Sequence, residues 1–163
     1  MSDEQLEEQT ASPVGTVPYY EFMRVRVMDC WVHEQDIRTA TGRPGGMDNA
    51  AAAAAIDRHL QTLGYVVGKR VQPPEGALIV MRVDGPVQRI RAVQVSDGRA
   101  RPVDASDDLT TRATAEIRTD TETFGRLVAG RWTADVASDR GLVRLAGDAQ
   151  IARAVLESLA ITP

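Results

Sequence analysis

Hydrophobic and polar positions follow two rhythms along the chain, and they are kept apart by clusters of glycine and proline. Residues 1–15 carry neither rhythm. They are polar, acidic and short of large apolar groups, which predicts a disordered arm. A helical rhythm starts after Thr16-Val17-Pro18. Thr16 can act as N-cap, Pro18 suits a first helical turn, and Glu21 complements the positive end. The helix is expected from about Pro18 to Thr41, where Gly42, followed by Pro44, Gly45 and Gly46, stops it. Its apolar residues lie on two sides. Phe22, Val25 and Val32 mark one, and Met23, Val27 and Trp31 mark the other. A helix apolar on two sides packs between neighbours.

Asp48 can cap a second helix carried by Ala50 to Ala55, then Ile56, Leu60 and Leu63. Gly64 ends it, or a short turn continues to Arg70. Pro73-Pro74-Glu75-Gly76 then breaks the chain and marks an internal boundary. Beyond it a strand rhythm takes over. Ala77 to Val83, Val87 to Val95, Arg99 to Val103 and Thr111 to Arg118 read as strands, with Asp97-Gly98 as a tight hairpin turn. Thr119-Asp120-Thr121-Glu122 opens a helix through Phe124, Leu127 and Val128 that Gly130 closes. Leu142 to Ala146 is a short strand, and Asp148 opens a last helix through Leu159. No internal repeat is present. The expected class is α+β: an arm over 1–15, a helical segment over 16–72, and over 73–163 a domain with a small mixed or antiparallel sheet and helices.

Composition narrows the classes. Hydrophobic residues make up 43% of the 163 but aromatics only 4%, so the core must be built from Val, Leu, Ile and Ala. The formal charge of −4 and scattered arginines argue against a nucleic-acid partner. Cys30 is the single cysteine and cannot close an internal disulfide. No signal-peptide layout and no apolar run near the roughly 20 residues of a membrane helix is present, so a cytoplasmic protein with no membrane partner is expected.

Candidate chemistry concentrates in Arg26 to Arg38. Asp29 and His33 are four residues apart, which puts a carboxylate and an imidazole on one helix face about one turn apart. Such a pair can grip a divalent metal, but a catalytic zinc needs about three protein ligands. The same spacing also describes a histidine hydrogen-bonded to a carboxylate, the commoner arrangement on helices. Cys30 beside Trp31 reads as a packed thiol, and His59, near Asp57 and Arg58, as exposed. Glu34 and Asp36 are expected to pair with Arg38 rather than to hold metal. Gly42-x-x-Gly45-Gly46 follows a helix instead of a strand, which excludes a phosphate loop.

The segment Asp29-x-Trp31-Val32-His33-Glu34-Gln35-Asp36-Ile37-Arg38 resembles the last bundle helix of the actinobacterial mycothiol-dependent maleylpyruvate isomerase family. Phe124-Gly125-Arg126-Leu127-Val128-Ala129-Gly130-Arg131 resembles its C-terminal Phe-x-Arg-Leu-x-x-Gly-Arg block, and Gly147-Asp148 its closing segment. The resemblance implies a DinB-like metal-binding bundle followed by a sterol-carrier-like α+β domain. It implies zinc held by Asp29 and His33, mycothiol as the thiol cofactor, and Arg131 as the anchor for a substrate carboxylate. Asp29 stands where the isomerases proper carry glutamate, and the early bundle helices with their histidine have no counterpart in these residues. An isomerase-like metalloprotein short of a ligand is therefore one expectation. A non-catalytic module binding a small lipid or acid is a second. A subunit that completes a bundle, as a homodimer through the first helix, is a third. Arg131 also has a plain role available, as a cation at a helix C-terminus.

Overall fold

The computed structural model describes residues 2–13, 15–104 and 109–161. The chain divides into two compact units, Met1–Arg58 and His59–Pro163. The division falls inside a helix, ahead of the boundary expected at the Pro73-Pro74 breaker.

The first unit opens with a short helix, α1 (Asp3–Glu7). Ser2 and Gln5 cap it reciprocally: the Gln5 amide donates to Ser2 Oγ at 3.3 Å, and the Ser2 amide to Gln5 Oε1 at 2.8 Å. A hairpin of β1 (Gln9–Ser12) and β2 (Gly15–Pro18) follows. Regular structure thus occupies described residues of the stretch that reads from composition as an unstructured arm. Local side-chain capping and hairpin pairing supply what hydrophobic content does not.

The long helix α2 (Tyr19–Ala40) matches its expected span. Thr16 is not its cap, because it pairs with Ala11 in the hairpin; Pro18, at φ −55°, precedes the first helical residue. At the other end Gly42 takes φ +64°, which costs a glycine little. The Arg43 amide bonds the Arg38 carbonyl at 2.9 Å and the Gly42 amide that of Thr39 at 3.2 Å, a Schellman closure. The next helix, α3 (Ala50–Leu60), is capped by Asn49, not by Asp48: Asn49 Oδ1 accepts from the Ala52 amide at 2.8 Å.

The second unit contains a helical turn, α4 (Leu63–Tyr65), and a π-helical turn over Val66–Val71 that ends at Gln72 in the left-handed region. Next come β3 (Leu78–Asp84), β4 (Arg89–Ser96), β5 (Arg99–Val103), the helical turn α5 (Leu109–Arg112), β6 (Ala115–Asp120), α6 (Thr121–Val128), α7 (Ala134–Asp139), β7 (Val143–Gly147) and α8 (Ala149–Glu157). The strands form one mixed sheet in the order β5-β4-β3-β6-β7. All neighbours are antiparallel except β3 and β6, which run parallel. The class is α+β. Among the described residues no helix is long and apolar enough to cross a membrane.

The Asp97-Gly98 turn forms as its sequence implies, with both residues at positive φ. The Glu75 carboxylate accepts both turn amides, at 2.8 and 3.2 Å. The alternation over Thr111 to Arg118 is strand only from Ala115. Its start is helical, because α5 lays Leu109 over Leu78, Val80 and Ala92. Burial of that leucine outweighs the β preference of the threonines. The six-residue α7, capped by Thr133, is too short to show a period in the sequence.

Register assigns the two faces of the sheet. Ile79, Met81, Val83, Val93 and Ile117 share one face and are fully buried. Leu78, Val80 and Ala92 share the other, under Leu109 and beside Val103 and Ala113. Two threonines hold the parallel pair at its ends. The Leu78 amide donates to Thr114 Oγ1 at 3.0 Å, and the Thr114 amide to the Leu78 carbonyl at 2.8 Å. The buried Thr121 hydroxyl donates to the Asp84 carbonyl at 2.9 Å and accepts from the Val87 amide at 3.0 Å. Replacing Thr121 with valine keeps the shape and orphans the Val87 amide. Thr121→Val should therefore lower unfolding free energy by about 1–3 kcal/mol in urea titrations.

Candidate functional site

Two groups of residues carry chemistry, one in each unit. The first is the exposed face of α2. Helical spacing brings Asp29 and His33 together, with Oδ1 and Nε2 3.5 Å apart. His33 Nδ1 lies 3.8 Å from Asp36 Oδ2, and Arg26 Nη1 donates to Asp29 Oδ2 at 3.0 Å. The side chains of His33 and Asp29 are 60% and 42% exposed, so the pair stands in water and not in a dry core. Glu34 is held by Arg38, Nε to Oε1 at 2.8 Å, as expected. Asp36 instead faces His33. Among the described residues no group of three or more His, Cys, Asp or Glu side chains is placed to hold a metal ion. Cys30 is exposed on the same face and not packed as expected, and Trp31 is buried with its Nε1 donating to the Gly46 carbonyl at 2.9 Å.

Arg131 belongs to the second unit and follows α6. Gly130, at φ +66°, lets the Arg131 amide reach the Arg126 carbonyl at 2.8 Å. The Arg131 guanidinium donates to the Ala129 carbonyl at 2.7 Å, at the negative end of the helix. His59, expected at the surface, is buried, with its ring edge-on to Phe124 at a centroid distance of 6.5 Å.

The second group was not singled out in the sequence. On the sheet face that carries Leu78 and Val80, the next row outward is Ile90, Arg82, Arg118 and Arg144. Arg82 pairs directly with Arg118 across β3 and β6, and Arg118 with Arg144 across β6 and β7. Like charges directly opposite on neighbouring strands repel. Two carboxylates offset part of this. Arg82 Nε lies 3.1 Å from Glu116 Oε1, and Arg118 Nε pairs with Asp84 Oδ2. The Asp84 hydrogen bond holds the Arg118 pKa above its already high ordinary value, so this cation is charged at any working pH. Arg144 makes no ion pair among the described residues. Glu116 is buried, and among the described residues its second oxygen, Oε2, has no hydrogen-bond partner. Arg82, Asp84, Gln88, Arg89, Ile90 and Arg118 line an open pocket of about 530 Å³ at this end of the sheet. Among the described residues the arrangement sets three guanidiniums beside two carboxylates, with the exposed Ile90 alongside.

No protein-family model matches the chain, and no curated protein matches it. Solved structures similar to it include sterol carrier proteins. A sterol carrier protein-2-like-3 from Aedes aegypti is 16% identical with a TM-score of 0.43, over 63% of this chain and 93% of that one. The apo sterol carrier protein 2 of Yarrowia lipolytica is 15% identical at 0.43, over 66% and 91%. The Aedes aegypti sterol carrier protein-2 in complex with palmitate is 11% identical at 0.43, over 63% and 94%. At these scores and identities the likeness assigns no activity to this chain. The isomerase-family resemblance rests on Asp29 to Arg38 and the two C-terminal segments alone.

The two ends of the arginine row should differ in stability experiments. Arg82→Ala strands the buried Glu116 and is expected to cost about 2 kcal/mol. Arg144→Ala, on an exposed edge strand, should stay within about 0.5 kcal/mol of the parent. Urea denaturation of both variants checks the difference.

Proposed function

We propose that the sheet unit is a non-catalytic binding module for a small organic acid with an apolar part. The observation that carries this is the juxtaposition on one sheet face of the exposed Ile90 with the arginine row Arg82, Arg118 and Arg144, beside the open pocket. A carboxylate presented to the row meets guanidinium forks that match its geometry. It also relieves the repulsion between Arg118 and Arg144. The aliphatic part of the ligand gains by leaving water for Ile90 and the neighbouring apolar surface. Nothing in this reading needs a nucleophile or a metal.

Decanoate and 1-decanol separate the two contributions, because they share a chain length and differ in charge. Isothermal titration should show decanoate binding more tightly than decanol, with an advantage that shrinks in high salt. The double variant Arg118→Ala/Arg144→Ala should weaken decanoate about tenfold or more and leave decanol unchanged. Equal affinity for acid and alcohol, or an unaltered double variant, would contradict the reading.

A second reading is supported by the 3.5 Å approach of Asp29 and His33 on an exposed helix face and by the isomerase-like motif around them. In it Asp29 and His33 hold a divalent ion such as zinc, mycothiol is the thiol, and Arg131 anchors a substrate carboxylate. The donor set does not fit that group. Two ligands in one chain fall short of the three that a catalytic zinc takes, and Arg26 already occupies one Asp29 oxygen. Zinc titration of the parent and of His33→Ala decides it: saturable binding lost in the variant supports this reading, and no binding in either removes it.

A further inference from the structure

Beyond ligand binding, α2 carries a line of exposed side chains. Tyr20, Met23, Val27, Cys30, Glu34 and Ile37 recur at alternating steps of three and four along it. That spacing makes one straight seam on a helix, as in coiled coils. Tyr20, Met23 and Ile37 are among the few large apolar side chains of the chain that are exposed, and Ile37 is 64% exposed. Cys30 is exposed at the centre of the seam, and a shallow groove of about 590 Å³ runs beside it. The buried residues of α2, namely Val25, Trp31 and Gln35, lie off this seam.

We infer that this seam is covered by α2 of a second copy of the chain, with the two helices antiparallel and the two-fold axis passing at Cys30. Three observations select that occupant and that orientation. The first is length: α2 spans Tyr19–Ala40, so its midpoint falls beside Cys30, and an axis there overlaps the two helices from end to end. At 22 residues the overlap is about 33 Å.

The second is the apolar match. About such an axis, each residue faces the one equally far on the other side of Cys30. Met23, seven positions before, meets Ile37 of the second copy, seven positions after, and the two-fold repeats the pair.

The third is charge. Arg26 and Glu34 stand four positions to either side of Cys30, so each arginine meets a glutamate. A parallel pair would instead set arginine against arginine and glutamate against glutamate. In the single chain Arg26 is bound to Asp29 at 3.0 Å and Glu34 to Arg38 at 2.7 Å. Both pairs lie within one helix, the first exposed and the second half-buried, and in each the partner across the interface can share the charge.

The full chain, 17.7 kDa as a monomer, is tested by sedimentation equilibrium with Arg26→Glu, Glu34→Arg and the double variant. Each single variant creates two like-charge contacts and should weaken dimerisation about tenfold or more. The double variant restores both pairs with reversed sign and should recover the parent affinity. Circular dichroism confirms that each variant is folded, and a variant that is not folded is replaced by Arg26→Gln or Glu34→Gln, with loss of affinity again expected. A short bis-maleimide should join two parent chains through Cys30 and join none in Cys30→Ser. A monomer at all concentrations, or a double variant no better than the singles, would overturn the inference.

Discussion

The parallel pairing of β3 with β6 is the constraint on which the rest of the second unit depends. It joins segments far apart in the chain, and all other pairings of the sheet are antiparallel. Its register is held at both ends by threonines, Thr114 against the Leu78 backbone and Thr121 against Asp84 and Val87. A slip of β6 by one residue along β3 would turn Ile117 out of the core and drive Arg118 into it. The buried face therefore enforces the register, and the register in turn builds the arginine row. The packing that stabilises one face writes the chemistry of the other.

That row is costly unless something negative lies beside it. Asp84 and Glu116 meet part of the need, and among the described residues Glu116 Oε2 has no hydrogen-bond partner. Burying half a carboxylate without a donor works against stability. A sheet selected for stability alone would place alternating charges or small polar groups at Arg118 and Arg144. On the proposed reading, the carboxylate of a ligand meets the charge that Asp84 and Glu116 leave over beside the exposed Ile90.

Local elements were legible in the sequence, and long-range ones were not. The span of α2, its Gly42 stop, the Asp97-Gly98 turn, the helix start within Thr119 to Glu122 and the Asp148 cap follow from residues within a few positions of one another. So does the meeting of Asp29 with His33, which needs only one helical turn. The sequence did not distinguish α5 from a strand, because its threonines favour extended backbone and the burial of Leu109 is a tertiary effect. The inward place of His59 beside Phe124 is tertiary as well. The arginine row is the clearest case. Each arginine occupies a polar position in its own strand, and only the register of β3, β6 and β7 makes them neighbours.

The most direct measurement observes the arginines themselves. In the ¹⁵N-labelled protein each guanidinium Nε–H gives its own resonance, assignable by single substitution. On addition of decanoate the resonances of Arg82, Arg118 and Arg144 should shift together and saturate with one affinity, while those of Arg70 and Arg153, which are held by other groups, stay in place. Saturable shifts confined to residues outside the sheet face, or no shift at the three arginines while decanoate binds, would contradict the placement of the ligand on this sheet.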